Sequence, residues 1–479
     1  MDGGKAPVDG SEEDEHENAR IYLPDQVLDE IEDGNNSLPI YMGAAALCWT
    51  LGSMPLMASS FTADTNNATM ETLVSEFNLT DSRAYLADLP TSAYMAGNMI
   101  GGLFLTTASD RWGRRPVLVS TLILFWISGL LAALSPSILV FGILRGFQGC
   151  FYTGSTITAW VAGYEMTPTR LRGRTTFLFG MAWVIGYTLV APLAYVSTSW
   201  RWLLVYTVIP SIPFSFWALR YYPETLHFLA NRSRVHEMEG WLLKISNREK
   251  LQIQASQIRC QAVQEKIDVW REIWKHKIFL LYSVIMIYLW VCDTFTYFGL
   301  SLYSTQLSEG KWASYVLMGA VEVPAYIFTP TLLDRFGRRT IVASSHFLAA
   351  LAFFTLLCKP GEWLVLSIWL IGKSAITLSF MALFVYASEV FPTNIRNASV
   401  GMCAVIARIG GIAAPQIKNM THISENLPEV VLTVICLIAA CATLLLPETA
   451  CKPLPASILQ SVEKPTAKLI GNSEKLETV

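Results

Sequence analysis

The chain repeats itself at one constant spacing. Asp110-Arg111-Trp112-Gly113-Arg114-Arg115 recurs as Asp334-Arg335-Phe336-Gly337-Arg338-Arg339, and 334 − 110 = 224. Glu165, Pro168 and Arg172 return as Glu389, Pro392 and Arg396 at the same offset. Pro223-Glu224-Thr225 returns as Pro447-Glu448-Thr449, again at 224. Three motif groups in one register, with no net gap, make chance a poor explanation. The chain is two copies of one structural unit.

Composition says what medium that unit lives in. Charged residues make up 15% of the 479 and apolar residues 52%, with a mean hydropathy of +0.39. Soluble domains carry about 25% charged residues, so the solvent-facing surface is missing. A bilayer core of about 30 Å needs roughly 20 apolar residues per helix. Twelve such runs occur, near 40–61, 87–108, 116–134, 138–162, 175–196, 202–222, 278–304, 312–333, 340–358, 363–388, 399–418 and 428–447. The predicted fold is an all-α membrane protein of two pseudo-symmetric six-helix bundles, 40–222 and 278–447.

Arginine-rich loops set the orientation. Arg111, Arg114 and Arg115 follow the second run, Arg170, Arg172 and Arg174 the fourth, and Arg335, Arg338 and Arg339 the eighth. The alternate loops hold single basic residues or none. The even-numbered connections and both termini are therefore expected in the cytosol. The acidic tail 1–39 and the tail 448–479 read as solvated cytosolic segments, and 223–277 as a cytosolic linker with amphipathic helices at the membrane surface. The loop 62–86 is then extracellular, and Asn67 and Asn78 in it head glycosylation sequons.

A net charge of −3 gives no reason to expect nucleic acid as a partner. The nine cysteines include no CxxC or Cys/His cluster, so no metal site or disulfide framework is expected. No catalytic set is visible, and no cofactor is expected beyond a possible coupling ion, Na+ or H+. The expected partners are a small organic ion and the lipid bilayer, with the chain working as a monomer.

Each repeated motif has a physical reading. Gly113 and Gly337 permit a sharp reversal between adjacent helices. Asp110 and Asp334 close one helix, while Arg111, Arg114, Arg115, Arg335, Arg338 and Arg339 stay at headgroup level. Glu165, Glu224, Glu389 and Glu448 lie at helix ends, where an unpaired charge is costly, about 2.5–3.5 kcal/mol at the bilayer centre. The arginines, with Arg172 and Arg396, are the expected partners. The network would tie each half together and loosen as the protein opens inward; the alternative is that these charges only set topology.

Asp-Arg-x-Gly-Arg-Arg, twice between second and third helices, resembles the loop signature of the major facilitator superfamily, though Thr106 stands where that signature has Gly. Arg145-Gly146-Phe147-Gln148-Gly149 is similar to the superfamily's Arg-x-x-Gln-Gly element. A narrower resemblance is to solute carrier family 22, the organic ion transporters. It rests on Val74-Ser75-Glu76-Phe77-Asn78-Leu79, Trp200-Arg201-Trp202, Ser388-Glu389-Val390-Phe391-Pro392 and Leu446-Pro447-Glu448-Thr449. The carnitine/zwitterion branch is the most similar, through Tyr297-Phe298-Gly299-Leu300-Ser301-Leu302 and Val321-Glu322-Val323-Pro324-Ala325-Tyr326. Two departures stand out: the first extracellular loop is short and lacks Cys, and the stretch after the sixth helix is reduced to Pro223-Glu224-Thr225-Leu226-His227-Phe228-Leu229.

The resemblance implies a substrate site at the bilayer midplane between the halves. Trp290 and Tyr297, seven residues apart on one helix face, match cavity-lining aromatics. Arg408 stands where cation-transporting members carry Asp, and Met381 where they carry a second carboxylate. An Arg there prefers a substrate carboxylate, unless Glu322 or Asp293 neutralises it. Asp293 is a receptor for a substrate ammonium or coupling cation, or else a partner of Lys373. Tyr386 and Tyr326 offer hydroxyls. These residues imply a plasma-membrane carrier of small organic zwitterions or anions, carnitine- or betaine-like, working by alternating access. The alternatives are an organic cation uniporter and a non-transporting receptor or scaffold.

Overall fold

A computed structural model describes residues 22–31, 37–64, 70–245, 254–259, 277–306, 310–392, 395–421, 423–450 and 452. Among these the secondary structure is helical, with two isolated bridges and no strand. Twelve long segments carry the fold. The first half holds α1 (Leu38–Thr62), α2 (Leu89–Trp112), α3 (Arg114–Ala133), α4 (Ile138–Glu165), α5 (Thr169–Val196) and α6 (Trp200–Tyr221). The second holds α7 (Lys277–Gln306), α8 (Lys311–Phe336), α9 (Arg338–Leu356), α10 (Leu364–Val390), α11 (Ser399–Met420) and α12 (Leu427–Thr443).

Nine of these are long and apolar enough to cross a membrane. The exceptions are informative. The final segment is short, at 17 residues. The second and fourth carry polar residues that are spent inside the first half. Arg145 of α4 is buried, donates to Gln148, Ser59 and the Pro55 carbonyl, and lies 4.4 Å from the centroid of the Tyr94 ring. Thr153 of α4 donates to the Asn98 carboxamide of α2 at 2.5 Å. The backbones there touch: a Cβ on Gly149 would lie 1.9 Å from the Tyr94 carbonyl oxygen. Small residues allow that approach, which replaces the hydrophobic drive that lipid does not supply. Large apolar side chains such as Phe104, Leu139, Tyr195 and Phe328 point outward instead, as a lipid-facing surface requires.

The halves meet at the end of the bundle opposite the Asp-Arg-x-Gly-Arg-Arg loops and touch again midway along it. Ser60 donates to the Ser301 carbonyl, Ser92 to the Ile412 carbonyl, Tyr315 to the Tyr187 carbonyl and Lys418 to the Ala63 carbonyl. Phe61 stacks on Trp312 at 5.1 Å, and buried Asp64 faces Lys311 at 3.4 Å.

One stretch read as a solvated tail is partly docked. The helix Pro24–Ile31 buries Val27 and Leu28 completely beneath the first half. Its Asp25 takes Arg172 at 2.6 Å and His227 at 2.9 Å, and Asp29 accepts from Thr169. An amphipathic turn with two carboxylates beside basic helix ends provides the reason. Of the linker, 223–245, 254–259 and 277 are described, and its helices Leu226–Asn231 and Val235–Ile245 pack with residues of 254–259, Tyr22 and that helix into one apolar cluster.

Candidate functional site

At the motif-bearing end each half closes on itself. Gly113 has φ +113° and Gly337 φ +85°, a region of backbone space reserved for glycine. The turn aims the first N–H groups of α3 at a carboxylate: Arg114 N donates to Glu224 at 2.9 Å and Arg115 N at 3.2 Å. Glu448 receives Arg338 N at 3.0 Å and Arg339 N at 3.2 Å. A carboxylate at a helix N-terminus satisfies donors that the helix leaves open. Burial pushes the Glu224 carboxyl up, against the opposing pull of the N–H groups of Thr225, Arg114 and Arg115. The Arg114 guanidinium pairs with Glu165 at 2.9 Å and Asp110 at 2.7 Å, and Thr225 donates to Glu165 at 2.6 Å. Arg338 repeats this with Glu389 at 3.0 Å and Asp334 at 3.6 Å, and Thr449 donates to Glu389 at 2.6 Å.

All these pairs join residues of one half, so the halves can part without breaking them. The expectation that this network loosens on opening therefore does not follow from its geometry. Arg111, Arg115, Arg335, Arg172 and Arg396 stand outside the core of the brace. Arg115 donates to the Leu219 carbonyl, Arg396 to the Phe391 carbonyl, and Arg172 holds Asp25. Arg335 lies against Phe336, and the Arg111 carbonyl accepts from Arg232.

At the opposite end a clamp accounts for two motifs that were recognised only by resemblance. Glu76 accepts from Trp200 Nε1 at 2.7 Å and pairs with Arg201 at 2.5 Å, and that guanidinium lies over the Trp200 ring. Arg201 holds the Glu76 carboxyl below its ordinary value of 4.5. A depressed carboxyl stabilises the fold above its unfolded pKa and loses that contribution as pH falls through the folded one. The thermal midpoint of the purified protein is therefore expected to drop on acidification below about pH 4.5, the ordinary value. Glu76→Gln should remove that component; an unaltered pH profile in the variant would contradict the clamp. Asn78 is exposed, with φ +50°; Asn67 lies outside the described residues.

Midway along the bundle, α8 breaks at Val321, between Lys311–Ala320 and Glu322–Phe336. Pro324 lacks a backbone N–H, which weakens the helix at that turn. Glu322 sits there fully buried. It accepts from the Tyr297 hydroxyl at 2.7 Å and the Tyr326 hydroxyl at 3.1 Å, and pairs with buried Lys373 of α10 at 3.1 Å. The Lys373 ammonium also bonds Ser301 at 2.6 Å and lies 3.1 Å from the Tyr297 ring centroid. Trp183 of the first half donates to the Tyr297 oxygen at 2.7 Å. This polar cluster therefore spans both halves.

Asp293 does not meet Lys373. Its partner is His346 of α9, at 3.0 Å, and Ser379 of α10 donates to it at 2.9 Å. Both carboxylates that offered to neutralise Arg408 are thus engaged elsewhere. Arg408 has no hydrogen-bond acceptor or carboxylate within reach among the described residues. Its electrostatic neighbour is Tyr152 of α4, across the interface. Val405 and Gly411, three residues to either side, face Gly102 and Met95 of α2. Arg408 therefore stands on the face of α11 turned to the first half, half-buried and unpaired.

Trp290 lies on α7 with its ring 4.5 Å from Phe384 and 6.0 Å from Phe380, and its Nε1–H has no acceptor among the described residues. Tyr297, Tyr326 and Trp290 are thus brought toward the midplane. Tyr386 is not: its hydroxyl donates to the Pro447 carbonyl at 2.6 Å, within the brace of the second half. Sequence reasoning missed His346, Trp183 and Tyr152. Each is a lone polar aromatic in an apolar run, with no spacing signal to mark it. No cluster of metal-ligating side chains occurs among the described residues.

Comparison with known proteins sets this geometry in a family. The profile described as "Sugar (and other) transporter" matches residues 45–456. A putative transporter of Caenorhabditis elegans is 37% identical over 92% of this chain and 91% of its own length. An organic cation transporter protein of Drosophila melanogaster is 29% identical over 81% of this chain and 74% of its own. Organic anion transporter 3 of Oryctolagus cuniculus is 29% identical over 82% and 74%. The inward-open xylose transporter of E. coli superposes with a TM-score of 0.70 at 19% identity, covering 87% of this chain and 98% of that one. The chain is a membrane transporter and not an enzyme: it belongs to the sugar (and other) transporter family of the major facilitator superfamily, among the organic ion carriers of solute carrier family 22.

Proposed function

We propose that this organic ion transporter carries small zwitterions or anions bearing a carboxylate, of the carnitine or betaine type. One observation carries the reading. Arg408 is a guanidinium on the inter-half face of α11 without an acceptor among the described residues, while Asp293 and Glu322 are both paired. A charge left unpaired within a membrane is costly, so a substrate carboxylate is the natural complement, bidentate where geometry allows. An ammonium group at the other end of a zwitterion would have Tyr152 beside Arg408 as an aromatic neighbour.

Arginine counts put the motif-bearing end in the cytosol. The inter-half contacts would then close the extracellular end, and the substrate chamber would open inward. The loop with Asn78 would be extracellular and available for glycosylation, in the plasma membrane. Alternating access then requires breaking Asp64–Lys311 and the Phe61–Trp312 stack and forming contacts at the cytosolic end.

The second reading, an organic cation uniporter, draws its support from the likeness to the organic cation transporter protein of Drosophila melanogaster. Uptake into proteoliposomes separates the two. Labelled carnitine, an aromatic monocarboxylate and tetraethylammonium are offered singly and in competition. Carboxylate-bearing probes are expected to enter and to compete with one another. Saturable tetraethylammonium uptake that carnitine does not inhibit would overturn the assignment.

A further inference from the structure

The Asp293–His346 contact cannot hold with both groups in their commonest neutral-pH forms. His346 Nδ1 lies 2.9 Å from the Val342 carbonyl oxygen. That oxygen only accepts, so Nδ1 bears a hydrogen. Ser379 Oγ gives its one hydrogen to Asp293 Oδ2 at 2.9 Å and sits 3.3 Å from the same Nδ1. Nε2 then lies 3.0 Å from Asp293 Oδ1, off the line of a hydrogen bond, and neither atom has a hydrogen-bond partner among the described residues. A bare nitrogen lone pair against a carboxylate oxygen would repel. The pair must hold one proton, as imidazolium beside carboxylate or imidazole beside carboxylic acid.

Both side chains have zero exposure. The proton is thus sealed in the closed arrangement and exchanges only when α7 shifts against α9 and α10. α7 also touches the first half, through Tyr297–Trp183 and Ser301–Ser60. Few other titratable groups face the pair. Cys292 is on α7 itself, and Cys436 approaches from α12, 3.9 Å from Thr296. Lys373 of α10 is taken by Glu322 of α8, and Arg408 of α11 looks to Tyr152.

We propose that Asp293 and His346, positioned by Ser379, form a proton-binding site that couples substrate movement to one proton. The pair picks up the proton, on His346 Nε2 or Asp293 Oδ1, on one side of the membrane and gives it to water on the other, with no other bond changed. This rests on the transport reading above, and the test separates the two. Proteoliposomes are given labelled carnitine with and without a gradient of about one pH unit, which at most supports about tenfold accumulation per coupled proton. Wild type should accumulate the probe with the gradient and lose accumulation to a protonophore. His346→Gln should bring the with-gradient to without-gradient ratio to unity while residual counterflow shows a folded carrier. Uptake by wild type that ignores the gradient overturns the proton site and leaves the transport reading standing.

A second measurement needs no substrate. Purified wild type and Asp293→Asn are titrated from about pH 5 to about pH 9, where imidazole and raised carboxyl groups exchange protons, and the protons bound are counted. Wild type should bind one more proton than the variant at the acid end. Identical curves overturn the proposal, whether or not any probe is carried.

Discussion

Replacing Arg408 by Asp is expected to invert the order in which the carrier accepts its probes. In the wild type the guanidinium meets no acceptor among the described residues, so its charge is open to a ligand carboxylate. A hydrogen bond to a charged group contributes about 1.5–3 kcal/mol, about ten- to a hundredfold in affinity. Arg408→Ala should therefore raise the half-saturating concentration for carnitine by about that factor. Arg408→Asp goes further, because it places a carboxylate against the incoming one and offers a partner to an ammonium. Tetraethylammonium should then outcompete carnitine. The measurement is the ratio of their inhibition constants in the variant against wild type. An unchanged rank order would remove Arg408 from the site. Asp293 and Glu322, already paired, are not free to rescue either substitution.

Gly113→Ala should lower the stability of the protein strongly, although the residue lies far from the midplane. Two effects add. At φ +113° an L-residue is strained by about 1–3 kcal/mol. The new Cβ would also stand 2.4 Å from Glu224 Oε2, too close for the carboxylate to stay. Moving it strands the Arg114 and Arg115 amides, at about 1–3 kcal/mol per buried unsatisfied donor. Gly337→Ala has the same geometry, with Glu448 Oε2 at 2.7 Å and φ +85°. Both variants should show a lower thermal midpoint in detergent and a smaller monodisperse fraction. Gly43→Ala in α1, where a Cβ meets nothing within 4 Å, should not. If Gly113→Ala matched Gly43→Ala, the clasp would not bear on stability.

Much of this fold was legible because its signals are local or periodic. Apolar runs gave the spans, and the constant offset gave two like halves. Arg114 and Arg338 were legible because a charge near a membrane needs a partner and the motifs named the carboxylates. What escaped notice depends on how spans lie against each other. Lys373 and Asp293 are both buried charges, and nothing along the chain says that Lys373 reaches Glu322 of α8 while Asp293 reaches α9. The aromatic content is 12%, so Trp183 and Tyr152 had no mark among their neighbours. Arg408 was legible only by resemblance; that it lacks an acceptor among the described residues is a fact of packing.

Glu224 and Glu448 come from the last residues of their halves, yet they seat on the start of a helix 110 positions earlier. During synthesis the α3 terminus therefore waits uncapped at the membrane surface until all six spans have been made. When Glu224 emerges the first half can latch shut, before any of the second has left the ribosome. Units made first can fold first, and this latch gives the nascent chain a checkpoint in the middle of its own production. A truncation ending just before Pro223 should leave a half that inserts but stays open to protease at the α2–α3 turn, whereas one ending after Thr225 should not.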